Sequence, residues 1–188
     1  MKLKLIKKYF FVINIFLLIS LPLKSEEVKK ISSNEHEFNL YMGMFDFSDD
    51  GKRSQIIGFQ HQNENLIRES FLGTLSPVTG ALITQNSASY FYTGVQAMYK
   101  VGNINITPSF TPGIYNQGDG KDLGHMVEFK SEVQLSLDLP KESQFGFSYN
   151  HISNASLGDK NPGANSYMFN FLKKILNKTM KLKDCHNF

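Results

Sequence analysis

From Met126 to Asp138 the chain alternates between two kinds of residue without losing step. Val127, Phe129, Ser131, Val133, Leu135 and Leu137 share one face, and Glu128, Lys130, Glu132, Gln134, Ser136 and Asp138 share the other. Side chains of a β-strand point alternately to its two sides, so this is a strand with one apolar side. Its thirteen residues exceed the roughly five or six of an ordinary strand. They cover the roughly 9–11 tilted residues with which a strand crosses a bilayer. The polar side carries charges of both signs, which lipid would not tolerate. A closed barrel with its apolar side in lipid and its polar side in a lumen satisfies both faces, because the charges can pair inside.

The pattern recurs along the chain. Alternation predicts strands over residues 36–46, 54–63, 70–83, 88–101, 103–115, 125–138, 144–154 and 165–174. In the first, Phe38, Leu40, Met42 and Met44 alternate with Glu37, Asn39, Tyr41 and Gly43. In the fifth, Ile104, Ile106, Phe110 and Ile114 alternate with Asn105, Thr107, Ser109 and Gly113, but Pro108 and Pro112 bring no N–H to the ladder. The third is the least regular, with Pro77 and Gly80. An even number of antiparallel strands, with both ends of the chain in the periplasm, makes odd strands run outward. Short turns then belong to the periplasmic end and longer loops to the outside. Gly102-Asn103 and Leu139–Ser143 are short, whereas Asn116–Gly124 and Ala155–Ala164 are long and polar. The turn at Glu64–Glu69 fits this scheme less neatly. The fold class expected is all-β: an eight-stranded antiparallel transmembrane β-barrel preceded by a cleavable signal peptide.

The ends agree with export. Lys2, Lys4, Lys7 and Lys8 precede an apolar run, Tyr9–Leu23, broken only by Asn14, Ser20 and Pro22, and Leu23-Lys24-Ser25 ends on a small residue. The rival reading, a membrane-anchoring helix, needs roughly 20 apolar residues, more than this run holds. The division expected is a signal peptide at 1–25, a barrel at 26–175 and a basic tail at 176–188. Five of the 20 Lys+Arg and none of the 17 Asp+Glu precede Glu26, so cleavage turns the formal charge from +3 to −2. The basic balance is therefore mainly a targeting feature, and no nucleic-acid partner is expected. Cys185 is alone, which excludes an internal disulfide. A chain with 16 Phe and 8 Tyr but a mean hydropathy of −0.26 suits a barrel with a polar lumen better than a bundle of membrane helices.

Chemistry concentrates at the end of the seventh strand. Phe145, Phe147, Tyr149, His151 and Ser153 form one face, and Gly146, Ser148 and Asn150 the other. On the lipid side of a barrel, the His–Ser pair would sit at the outer rim, where lipid substrate is found. Residues i and i+2 of a strand are about 6.6 Å apart, a gap these two side chains can close. Serine needs a base to take its proton, and the base needs a third group to hold its tautomer. The rival reading is a polar girdle at the membrane edge.

His151-Ile152-Ser153-Asn154-Ala155, Asn161-Pro162-Gly163 and Tyr115–Gly124 resemble the lipid A 3-O-deacylases, the PagL-type outer-membrane hydrolases. The resemblance covers about residues 80–175 and implies an eight-stranded barrel in the Gram-negative outer membrane. It implies Ser153 as nucleophile, His151 as base, and Asn154 and Asn161 as supports, with Asn161 the candidate oxyanion donor. Where the family carries a glutamate that orients the histidine, this chain has Asn165. An amide oxygen can accept the ring N–H but supplies no charge. Asp159, in the same loop, is the candidate substitute acid. The implied reaction removes the ester-linked acyl chain at position 3 of lipid A. It calls for no cofactor and no metal, with lipopolysaccharide as substrate and a homodimer allowed.

Two alternatives stay open. Asn165 favours a non-catalytic outer-membrane barrel, a lapsed enzyme with a structural or binding role. A different lipid enzyme, an acyltransferase or phospholipase, would use the same wall. A soluble lipocalin-like barrel is disfavoured, since its polar residues should face outward. Other motifs are weak. Gly118-Asp119-Gly120 with Asp122 lacks the spacing of an EF-hand, and His36, His61, His125 and His186 lack metal-ligand spacing. Neither a Gly-x-Ser-x-Gly elbow nor a Gly-x-Gly-x-x-Gly turn is present.

Overall fold

The computed structural model describes residues 35–63, 68–70 and 73–176. The segment expected to be a signal peptide, 1–25, and all but the first residue of the expected basic tail, 176–188, lie outside these residues. Eight long strands form the wall: β1 (Glu35–Phe45), β2 (Ser54–Asn63), β4 (Gly73–Thr84), β5 (Ser89–Val101), β6 (Ile104–Asn116), β7 (Val127–Leu139), β8 (Ser143–Ser153) and β9 (Ala164–Leu176). A short β3 (Arg68–Ser70) folds back on β4 in the connection that fitted the turn pattern least well. Each long strand pairs antiparallel with its neighbours, β9 pairs with β1, and β2 pairs with β4. The eight long strands therefore close into a barrel, as alternation predicts.

The prolines are absorbed without a change of register. β6 runs unbroken past Pro108 and Pro112, and its pairing with β5 lapses beside each before resuming in step. The ladder between β2 and β4 ends at Gln62↔Val78, one residue before Pro77. In both places the missing N–H falls where no ladder bond is made.

The faces divide as the sequence demands. Along β8, Phe145, Phe147, Tyr149 and His151 are exposed, while Gln144, Gly146, Ser148, Asn150 and Ile152 are buried. On β7 the outward Val133, Leu135 and Leu137 are about half exposed, and Glu128, Lys130, Glu132, Gln134 and Ser136 line the lumen. Lys130 finds Glu132 at 3.3 Å and lies 4.0 Å from the centre of the Tyr92 ring across the interior. The Tyr41 and Tyr92 hydroxyls meet at 3.0 Å. Gly58 and Gly80 lie against these two rings, where a Cβ would overlap them.

One property of the interior is not legible in alternation. The outer half of the lumen holds an apolar cluster of Phe45, Ile56, Leu82, Tyr90, Tyr115, Leu123, Ile152 and Met168 beside the buried Glu128 and Lys130. Leu123 comes from the loop between β6 and β7, so that loop is pinned into the barrel mouth. Ile152 belongs to this cluster and is fully buried, which forces its neighbours His151 and Ser153 to the outside.

Candidate active site

β8 delivers His151 to its outer end, with Ser131 of β7 and Asn165 of β9 as direct cross-strand neighbours. Paired positions on adjacent strands bring side chains on one face into contact. The result is a hydrogen bond of 2.8 Å between His151 Nδ1 and Asn165 Oδ1. Tyr149, one step down the same face, donates its hydroxyl to that same oxygen at 2.8 Å. The other end of the amide, Asn165 Nδ2, donates to Ser48 Oγ at 3.2 Å.

Because Oδ1 can only accept, Nδ1 of His151 must carry the ring proton, and Nε2 keeps its lone pair. Ser153 is half-buried, on the same face and two residues further on, and no hydrogen bond joins it to His151 in this arrangement. Gly163 closes over the ring. Its φ is +63°, and a Cβ there would stand 2.8 Å from His151 Cε1 and 3.2 Å from Nε2. Only glycine satisfies both the left-handed backbone and the close approach.

The loop after β8 is built around Asn154. Its side chain is fully buried and donates to the carbonyls of Leu123 at 2.9 Å and Lys160 at 2.8 Å, while its own oxygen accepts the Ser156 N–H at 2.9 Å. Ala155 and Ser156 both have positive φ, and Leu157 N–H returns to the Asn154 carbonyl at 2.9 Å, closing a tight turn. The Asn154 side chain is thus fully engaged in holding the loop. Asn161 accepts the Asn154 backbone N–H through Oδ1 at 3.2 Å, which leaves its exposed Nδ2 as a donor without a partner among the described residues. Asp159 is exposed and makes no contact with His151. Across the mouth, Lys160 bridges to Asp122 at 2.6 Å. That bond, followed by the Gly124 N–H, holds the Asp122 carboxyl below its usual range.

Sequence reasoning did not find the first outer loop. Phe47 N–H bonds the Asn165 carbonyl at 2.9 Å, and the Phe47 ring packs on Tyr149 and Tyr167. This places Ser48 against Asn165 and Asp46 behind it. Asp46 is buried, with Lys121 at 2.6 Å. In the sequence Asp46 ends the first expected strand, and Phe47–Gly51 belongs to no motif. No local signal ties it to a residue about 120 positions away. At the opposite end of the barrel His36 and His61 stack and bond at 3.0 Å. Among the described residues no three metal-ligating side chains gather.

Fold and site together define a class: a small, closed membrane β-barrel, plugged rather than open, with a histidine, a serine and an amide gathered at one rim of its outer wall. The family profile for lipid A 3-O-deacylase (PagL) matches residues 54–174, well over half of the chain. The chain belongs to that family, and with it to the barrels of the outer membrane. Among solved structures, a crystal structure of the outer membrane enzyme PagL superposes with a TM-score of 0.55 at 16% identity, covering 74% of this chain and 99% of that one. A de novo designed transmembrane β-barrel superposes with a TM-score of 0.51 at 10% identity, covering 76% of this chain and 96% of that one. Both likenesses are of fold. A comparison with curated protein sequences finds no match.

Proposed function

We propose that this chain, exported by a signal peptide cleaved before Glu26, removes the ester-linked acyl chain at position 3 of lipid A by a serine–histidine mechanism. Ser153 Oγ attacks the ester carbonyl carbon while His151 Nε2 takes the serine proton. The carbonyl oxygen gains the negative charge, and the free Nδ2–H of Asn161 is the donor best placed by the loop to meet it. Collapse of the tetrahedral intermediate breaks the bond to the sugar oxygen, which leaves with the proton held by His151. Water, deprotonated by the same nitrogen, then releases the fatty acid and restores Ser153.

The observation that carries this reading is the 2.8 Å bond from His151 Nδ1 to Asn165 Oδ1, on the lipid side of the wall. It leaves Nε2 as a base on the face that Ser153 shares. A serine triad whose acid is replaced by its amide can lose about 10⁴ in kcat when the wrong tautomer results. Here the amide is turned to favour the right one, so what is missing is the charge alone. Residues two apart on one strand face lie about 6.6 Å apart, a gap these two side chains are long enough to close, and catalytic hydrogen bonds tighten when substrate binds.

The test is mass spectrometry of lipid A incubated with purified barrel. Loss of one 3-linked acyl chain with the wild-type chain and none with Ser153→Ala supports the reading; unchanged lipid A with both refutes it. A second reading, a barrel without catalysis, rests on the replacement of the acid by Asn165. It predicts no deacylation even when Asn165→Glu supplies that acid.

A further inference from the structure

An amide has two ends, and the hydrolase reading needs one of them. With its oxygen toward His151, Asn165 keeps the proton on Nδ1. Turned over, its NH2 would donate to Nδ1 and drive the ring proton onto Nε2, the nitrogen that must accept from serine. We propose that Asp46 and Ser48, acting through Asn165, select the tautomer of His151.

The direction of the chain of bonds follows from its far end. A carboxylate paired with Lys121 only accepts. Asp46 is 1% exposed; its Oδ2 is held by Lys121 Nζ at 2.6 Å, and its Oδ1 receives the Ser48 hydroxyl at 3.5 Å and the Asn165 backbone N–H at 3.4 Å. Ser48 has one proton, and it points to Asp46. Toward Asn165 the hydroxyl can then only accept, which it does from Nδ2 at 3.2 Å. Nδ2 is fixed on Ser48, so Oδ1 is fixed on His151, and Nδ1 is left as the donor. Every link runs the same way, from imidazole to buried carboxylate, because the terminal group cannot donate.

The surroundings hold this end still. Phe47 N–H clamps the loop to β9 through the Asn165 carbonyl at 2.9 Å. Lys121 is shared by Asp46 at 2.6 Å and Asp49 at 3.3 Å. Two carboxylates on one ammonium leave an excess of negative charge behind Asn165, partly in place of the acid that position 165 lacks. Asp46 is buried and Ser48 exposed, and the hydrogen bonds of both run to Asn165 and to each other rather than to His151 or Ser153. They are positioning residues, and their role rests on the hydrolase reading of His151.

A glutamate at position 165 would have no donor end and could not be turned the wrong way. That makes the two substitutions conditional on each other. Ser48→Ala and Asp46→Asn are introduced singly into the full chain and into Asn165→Glu, and kcat and KM are measured on lipid A in detergent. In the wild-type background each lowers kcat about tenfold at unchanged KM. The loss stays well short of the 10⁴ of a fully mis-set tautomer because Tyr149 still donates to Oδ1. In the Asn165→Glu background each changes kcat by less than about twofold. Equal losses in both backgrounds mean a merely structural role and overturn the proposal. A second readout needs no turnover: ¹⁵N shifts of the His151 ring at about pH 8.5, where a free imidazole is neutral. Wild-type protein shows the proton on Nδ1, and Ser48→Ala shows a mixture with Nε2–H; an unmixed Nδ1–H in both variants overturns the proposal. If no variant cleaves lipid A yet the ring proton moves as described, the hydrolase reading fails and the tautomer selection stands.

Discussion

Asn165→Glu is the perturbation that most directly measures what this site lacks. The His151–Asn165 contact is 2.8 Å, so a carboxylate in the same place would put its charge about 5 Å from the centre of the imidazolium that forms during reaction. The pair lies half in water and half against the wall, for which an effective dielectric of about 40 is a fair mean. The attraction is then about 2 kcal/mol, present only while the ring is charged, or about thirtyfold in kcat. The new carboxylate would also face Asp46, whose Oδ1 is 3.4 Å from the Asn165 backbone nitrogen. That repulsion is the same before and during proton transfer, so it cancels from kcat and appears as a lower Tm, by about 1 kcal/mol of stability. The assay is the initial rate of acyl release from lipid A under saturating substrate, with thermal unfolding in the same detergent. A folded Asn165→Glu barrel with kcat equal to or below the wild-type value would refute the view that the orienting group here is short of charge.

Three further outcomes follow from the geometry. Gly163→Ala puts a methyl group 2.8 Å from His151 Cε1 on a backbone of φ +63°, so kcat should fall by at least about tenfold while Tm shifts by no more than about 1 kcal/mol of stability; a normal kcat would remove Gly163 from the site. Asp122 is held below its ordinary value of 3.8, chiefly by Lys160, so its contribution is complete above that value and is lost as pH falls through the lower folded one. Hydrogen-exchange protection factors in residues 117–126 and 154–163, corrected for the intrinsic amide rate at each pH, should therefore stay flat from neutral pH to about pH 4 and fall only below it, and Asp122→Asn should abolish that acid-dependent fall. Leu135, outward and half exposed near the middle of β7, should cost about 2–4 kcal/mol of folding stability in lipid vesicles when changed to Arg; an unchanged stability would mean that this face does not meet hydrocarbon.

Much of the architecture is local information. Period-2 alternation is a property of neighbouring residues, and a bilayer demands that every strand be paired and the sheet be closed. The strand limits expected at 54–63, 88–101 and 144–154 lie within a residue or so of β2, β5 and β8 for that reason. The outward side of His151 and Ser153 was legible in the same way, since a single residue slip would have turned the whole aromatic stripe inward. Pro108 and Pro112 looked like faults because sequence does not show which neighbour a given N–H faces.

What the chain determined by itself, then, is a barrel, its two faces and the rim on which histidine and serine share an aspect. Only the closed tertiary structure brought Asn165 opposite His151, since that pairing is set by the register of β9 on β8. Only closure of β1 onto β9 carried Asp46 and Ser48 beneath that amide, and only packing filled the outer lumen with Leu123 and Ile152. The division has one physical cause: face and period are fixed by adjacent residues, whereas contacts across about 120 positions come from the global ring of strands, which no short stretch encodes.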